Sequence, residues 1–154
     1  MKRNFFKECI PAIFAIGLFL FSATACHARI MMAQPDLYVY ETSEKIMTGA
    51  VFGIFQPDIA GGDVKLIAVK SPVCKTVEIH SMIDDNGIMR MRKIDAMPMD
   101  NAGRIVLEPT GYHIMLIKLS VPLKEGVQVP LTFVFSNGTE KTVDVPVIKR
   151  GARK

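Results

Sequence analysis

The sequence predicts an all-β sandwich or barrel behind an export signal, and three observations carry that prediction. Nine short segments rich in Val, Ile, Phe and Tyr follow one another, bounded by turn-forming residues. No segment sustains a 3.6-residue apolar period with helix caps. The N-terminus joins basic residues to a short apolar run and then to small residues.

In chain order the export signal comes first. Lys2, Arg3 and Lys7 form its positive region, residues 10–21 (IPAIFAIGLFLF) its apolar region, and SATACHA supplies the small residues of a cleavage site. The apolar run is shorter than the roughly 18–20 residues that span a bilayer. Residues 1–28 therefore read as a signal peptide, cut after Ala25 or after Ala28. The first cut leaves Cys26 as the new N-terminus within Ala-Thr-Ala-Cys, a lipobox-like run that would carry a lipid anchor. Residues 29–148 then form one β domain, large enough to bury a core of its own. Residues 149–154 form a basic tail, KR-GARK, expected to be solvated and frayed.

The strand candidates within the domain are 36–40 (DLYVY), 46–56 (IMTGAVFGIFQ), 63–70 (DVKLIAVK), 73–81 (VCKTVEIHS), 88–94 (IMRMRKI), 104–108 (RIVLE), 112–119 (YHIMLIKL), 129–135 (VPLTFVF) and 141–148 (KTVDVPVI). The stretches PDIAGGD, DDNG, DNAG, EPTG and SNGT punctuate them. The last two strands, separated by SNGTE, have the form of a hairpin. No internal repeat, low-complexity block or second domain interrupts the series.

Charge and cysteine content exclude several function classes. The formal net charge is +4, and removing residues 1–25 takes away three positive charges and one negative, leaving +2. Basic residues are neither striped nor interleaved with aromatics, so nucleic acid is not an expected partner. Cys9 leaves with the signal and Cys26 is cleaved off or acylated, so Cys74 stands alone as a buried small hydrophobe; a Cys26–Cys74 disulfide requires a cleavage that keeps Cys26 unmodified. A hydrolase would need a nucleophile, base and acid. No G-x-S-x-G run is present, and His80 and His113 are the only histidines beside His27, so an enzyme is not expected.

Those two histidines carry the functional signal. Each precedes a methionine by two residues, in HSM at 80–82 and HIM at 113–115. In a strand, residues i and i+2 point to one face about 7 Å apart. Either alone is as readily chance as design, because ten methionines are present and Met is a common core filler. The turn DDNG at 84–87 sharpens the pattern. A two-residue loop at Asn86-Gly87 sets Met82 opposite Met91, whereas a four-residue loop over 84–87 pairs His80 with Met91. In both registers His80, Met82, Met89 and Met91 share a face, with His80 opposite or diagonal to Met91. His80, Met91, His113 and Met115 then form a set of imidazole and thioether donors. Such donors suit soft Cu(I), whereas Mg²⁺ and Ca²⁺ want oxygen and Zn²⁺ draws on Cys, His or carboxylate. Met82 and Met89 read as packing first and auxiliary sulfur second, and Met97 and Met99 as loop or edge packing.

With these residues in place the chain resembles the PCuAC family of bacterial periplasmic copper chaperones, whose signature is H-x10-M-x21-H-x-M. Ten residues separate His80 from Met91, twenty-one separate Met91 from His113, and Ile114 precedes Met115. The flanking stretches SPVCKTVEIHSM, GIMRMRKI, LEPTGYHIML and VPLKEGVQVPLTFVF resemble the family as well, over residues 46–148. The resemblance implies a cupredoxin-like Greek-key β-sandwich holding one Cu(I) per chain through His80, Met91, His113 and Met115. It further implies a monomeric periplasmic chaperone that hands copper to the CuA centre of cytochrome c oxidase or to another copper carrier. Copper buffering or resistance, and a copper-blind interaction module, are the alternative readings. The chain departs from the family in having Tyr38 and Tyr40 near the place of a first-strand tryptophan, and Cys74 where alanine is common. It also ends in KRGARK rather than a His/Met-rich tail.

Overall fold

A computed structural model describes residues 36–59 and 63–153. The signal peptide and cleavage sites expected from the sequence, with Cys26 and His27, lie outside the described residues. Ten strands and no helix make up the described part: β1 Asp36–Tyr40, β2 Thr48–Phe55, β3 Lys65–Lys70, β4 Cys74–Asp85, β5 Ile88–Ile94, β6 Met97–Pro98, β7 Ile105–Leu107, β8 Tyr112–Leu119, β9 Gln128–Phe135 and β10 Glu140–Ile148. All nine segments read from the sequence are strands. The tenth, β6, is two residues long and pairs with β3, too short to leave a periodic signal. Met97 within it packs fully into the core from this edge strand, as the edge packing read from the sequence has it.

The strands follow the order β5-β4-β8-β2-β1-β10-β9-β3-β6, with β7 also paired to β2. The first and last strands of the domain meet in parallel at the turning point, where Val39 pairs with Val147. One layer, from β5 to β1, thereby faces the other, from β10 to β6. Alternation decides which side chains enter the space between them. In β9 every second residue, Val129, Leu131, Phe133 and Phe135, is buried. Val39, Val51, Ile79, Ile114 and Leu116 meet them from the opposite layer. Phe55 and Phe133 touch across the layers with ring centroids 4.9 Å apart. Burial of this apolar area is the main stabilising contribution.

Two backbone features set the geometry around the histidines. Asn86 and Gly87 both have positive φ, 55° and 83°, as a two-residue I′ hairpin loop requires. The register is accordingly the two-residue one, with Asp85 opposite Ile88 and Met82 opposite Met91. Gly53, at φ 112°, sits where β2 crosses β1 so closely that a Cβ would lie 1.9 Å from the Asp36 carbonyl oxygen. Only glycine fits there. The described residues of the basic tail are exposed, as expected of a solvated end, while two of its arginines reach β1. Arg150 lies over Tyr40 at 5.9 Å and Arg153 over Tyr38 at 4.8 Å, and Arg153 also pairs with Asp36.

Candidate metal centre

The face of β4 and β8 that points away from the core holds the candidate site. Ile79 pairs with Ile114 on the core side of these strands. The next ladder pair, His80 and His113, therefore projects from the opposite side, as does Glu78 opposite Met115. Toward the hairpin, His80 faces Lys93 and Met82 faces Met91 across β4 and β5. One face thus collects His80, His113, Met115, Met82 and Met91, with Met91 diagonal to His80 as one of the two sequence registers required.

This outward face is not open to water at its centre. His113 is only 3% exposed. Phe52 on β2 covers it with ring centroids 6.2 Å apart, and Tyr38 and Tyr40 stack behind Phe52 at 6.0 and 6.1 Å. The β1 tyrosines noted in the sequence therefore belong to the wall around the histidines. Met115 is partly buried, whereas Met91, on the hairpin strand at the sheet edge, is 51% exposed.

The histidine rings lie 5.8 Å apart, centroid to centroid, at 63°. Each has one nitrogen satisfied and one not. Nε2 of His80 shares a hydrogen bond of 2.9 Å with Glu78 Oε2, and Nδ1 of His113 bonds the Gly111 carbonyl oxygen at 3.3 Å. The remaining nitrogens, Nδ1 of His80 and Nε2 of His113, are buried and have no partner. They are the buried side-chain nitrogen or oxygen atoms left unpaired among the described residues. An unsatisfied buried polar atom costs on the order of 1–3 kcal/mol, so two on neighbouring rings call for a ligand. A metal–nitrogen bond is about 2 Å, so two imidazoles on one ion have ring centres no more than about 6.4 Å apart. The observed separation fits.

Burial keeps His113 in a ligating state. Burial, with help from nearby His80, lowers the His113 pKa below the ordinary histidine value, and the Gly111 bond opposes this only in part. A neutral ring keeps its lone pair for a metal. The hydrogen bonds from His80 and from Lys93, the latter 3.2 Å from Glu78 Oε1, hold the Glu78 carboxyl below the usual carboxylate range. Among the described residues, no group of three or more His, Cys, Asp or Glu side chains is placed to hold a metal ion. The side chains that share the face with these two free nitrogens include the methionines Met82, Met91 and Met115, and thioether sulfur suits soft ions. Cys74 opens β4, is buried with its thiol pKa pushed up by that burial, and is no ligand candidate.

Reading from the sequence named the two histidines and the methionines of this face but missed three supports. Glu78 stands two residues before His80 and was legible by the same i, i+2 rule. Phe52 and the Gly111 carbonyl come from other elements, and no local pattern announces them.

Comparison with known proteins gives three kinds of likeness. The profile of the LpqE-like family, described as "Putative lipoprotein LpqE-like", matches residues 30–147. The protein RP573 of Rickettsia prowazekii (strain Madrid E) is 35% identical over 85 residues, covering 54% of this chain and 46% of its own. "Putative lipoprotein Lxx21020" of Leifsonia xyli subsp. xyli (strain CTCB07) is 32% identical over 97 residues, covering 57% and 58%. The chain thus spans about half the length of these relatives. Among solved structures, the copper-bound PCuAC domain from PmoF2 superposes with a TM-score of 0.60 at 22% identity, covering 75% of this chain and 91% of that one. The Cu(I) form of DR1885 from Deinococcus radiodurans gives 0.59 at 22% identity, covering 75% and 76%. The fold is that of the PCuAC domains, a cupredoxin-like β-sandwich, as the sequence predicted.

Proposed function

The chain belongs to the LpqE-like family, and from that premise and the geometry of the histidine face we propose that it is an exported Cu(I) carrier. The observation that carries the reading is the pair of buried, unpartnered nitrogens on His80 and His113, flanked on the same face by methionine sulfur. One Cu(I) per chain would be held by His80, Met91, His113 and Met115. Two neutral imidazoles and two thioethers add no charge to a monovalent soft ion, and thioethers bind without losing a proton. The copper-binding structures of the same fold and the lipoprotein descriptions of the relatives support this reading.

The arrangement suits a carrier better than a catalyst. Three donors sit on the interior strands β4 and β8, and the fourth, Met91, lies exposed on the edge strand. An acceptor can thus approach and replace one thioether while the imidazoles still hold the ion. Within this proposal the acceptor is the CuA centre of cytochrome c oxidase or another copper carrier. The working place is the periplasm, with an anchor at Cys26 where that residue is acylated.

Competition between the mature protein and a chromogenic Cu(I) chelator tests the reading, with one tightly held Cu(I) per chain expected. A chain that leaves the chelator fully loaded refutes it. Adding a copper-free CuA-bearing subunit to the loaded protein then distinguishes delivery from buffering, because a buffer retains its copper. Intact mass of the exported form reports whether the chain starts at a lipid-bearing Cys26 or at Arg29.

A further inference from the structure

Glu78 is assigned no part in the donor set above, yet it is built into the site. It lies two residues before His80 on the same face and directly opposite Met115. One carboxylate oxygen, Oε2, bonds His80 Nε2 at 2.9 Å, and the other, Oε1, is 3.2 Å from Lys93 Nζ. Lys93 is itself the ladder partner of His80. The carboxylate is thus clamped between the ring it orients and the cation opposite that ring. The Glu78 and His80 side chains are only 22% and 14% exposed, so water competes weakly for this bond.

Proton bookkeeping then fixes the ring. An ionised carboxylate only accepts hydrogen bonds. The proton in the Glu78–His80 bond therefore belongs to Nε2, and a neutral ring carrying it there has its lone pair on Nδ1. Nδ1 is the His80 nitrogen found buried without a partner. On His113 the roles are reversed. Its Nδ1–H donates to the Gly111 carbonyl, which can only accept, and Nε2 is left free.

Resting on the Cu(I) reading, we infer that Glu78 is a positioning residue which locks His80 in the Nε2–H tautomer, so that copper is taken by Nδ1 of His80 and Nε2 of His113. The two histidines offer opposite nitrogens because different partners hold them, a side-chain carboxylate in one case and a backbone carbonyl in the other. Outer partners of this kind fix the orientation and basicity of a ligating imidazole.

Long-range ¹H–¹⁵N spectra of the ¹⁵N-labelled protein test this directly, since Cu(I) is diamagnetic. Without copper at pH 8, His80 should show a protonated Nε2 and an unprotonated Nδ1. On adding Cu(I), the large ¹⁵N shift change should fall on Nδ1 of His80 and on Nε2 of His113. Glu78→Gln keeps an oxygen acceptor, so it should retain the tautomer and bind Cu(I) nearly as well as the wild type. Glu78→Leu should lose the single tautomer and bind about 10- to 100-fold more weakly, the usual cost of removing an outer-shell partner. A wild-type His80 protonated on Nδ1, or metallated on Nε2, overturns the inference without any variant. So does a folded Glu78→Leu protein, judged by its thermal unfolding, that binds Cu(I) like the wild type. Failure of the wild type to bind Cu(I) at all removes the copper reading itself, which the spectra of the copper-free protein distinguish from a wrong tautomer.

Discussion

Replacing Met91 by leucine separates copper binding from folding more cleanly than any histidine change. Met91 lies on β5, where every residue but Ile94 is exposed, and it is itself half exposed. Leucine is close in volume and equally apolar, and exposed substitutions of this sort move stability by no more than about 0.5 kcal/mol. For a domain of this size that is a change in Tm of under about 4 °C. The thioether, by contrast, is one of the four proposed donors and leucine offers none. Losing it should weaken Cu(I) binding at least as much as losing an outer-shell partner does, which is about tenfold or more. Tenfold corresponds to about 1.4 kcal/mol, well above the stability effect. The internal control is Met82→Leu, because Met82 is the direct ladder partner of Met91 and shares its face. Met82 should cost far less. Chelator competition at pH 7.5, with thermal unfolding of each copper-free variant, reads both quantities. Equal affinity losses for Met82→Leu and Met91→Leu would refute the four-residue donor set, and an unchanged affinity for Met91→Leu would remove Met91 from it.

Three further predictions follow the same geometry. Cu(I) affinity should fall between pH 8 and pH 5, because an imidazole must be neutral to bind. The limiting loss is about tenfold per pH unit for each required ring. The lowered pKa of His113 pushes the steepest part below the ordinary histidine value of about 6.5. A flat profile in that competition titration would leave a methionine-only site. Without copper, the fold should lose stability as pH drops below about 6.5, since the unfolded chain protonates His113 before the folded one does. Above that pH both states are neutral and the contribution is complete. Below it the loss approaches about 1.4 kcal/mol per pH unit until the folded ring also takes its proton. Urea unfolding at pH 7.5 and 5.5 measures this, and His113→Leu should reduce the difference. Gly53→Ala should destabilise by upwards of about 3 kcal/mol, because its Cβ meets backbone atoms of Asp36 and Leu37 that cannot swing aside, and its φ is unfavourable for alanine. A Tm within about 2 °C of the wild type would contradict the close crossing of β1 and β2.

Much of the molecule is written locally. Period-2 alternation with Gly, Asn and Asp punctuation determines nine of the strands, because which face a side chain takes depends only on its neighbours along the chain. The turn DDNG narrows the hairpin to two registers, and the positive φ of Asn86 and Gly87 in the structure selects the two-residue one, which aligns Met82 with Met91. Same-face spacing likewise brings His80 beside Met82 and His113 beside Met115. What the chain could not state locally is which strands lie side by side. The pairing of β4 with β8 makes His80 and His113 ladder partners, although they are far apart in sequence and their spacing reveals only that the pair exists. The neighbouring β2 then brings Phe52 over His113 and removes it from water. The short β6 gains its strand character from β3 alone, and the arginines of the tail find Tyr38 and Tyr40 only after β1 and β10 have met in parallel. Burial and hydrogen-bond satisfaction are properties of this assembled environment. They decide that one nitrogen of each histidine is spoken for and the other left free, a distinction that no spacing of residues along the chain contains.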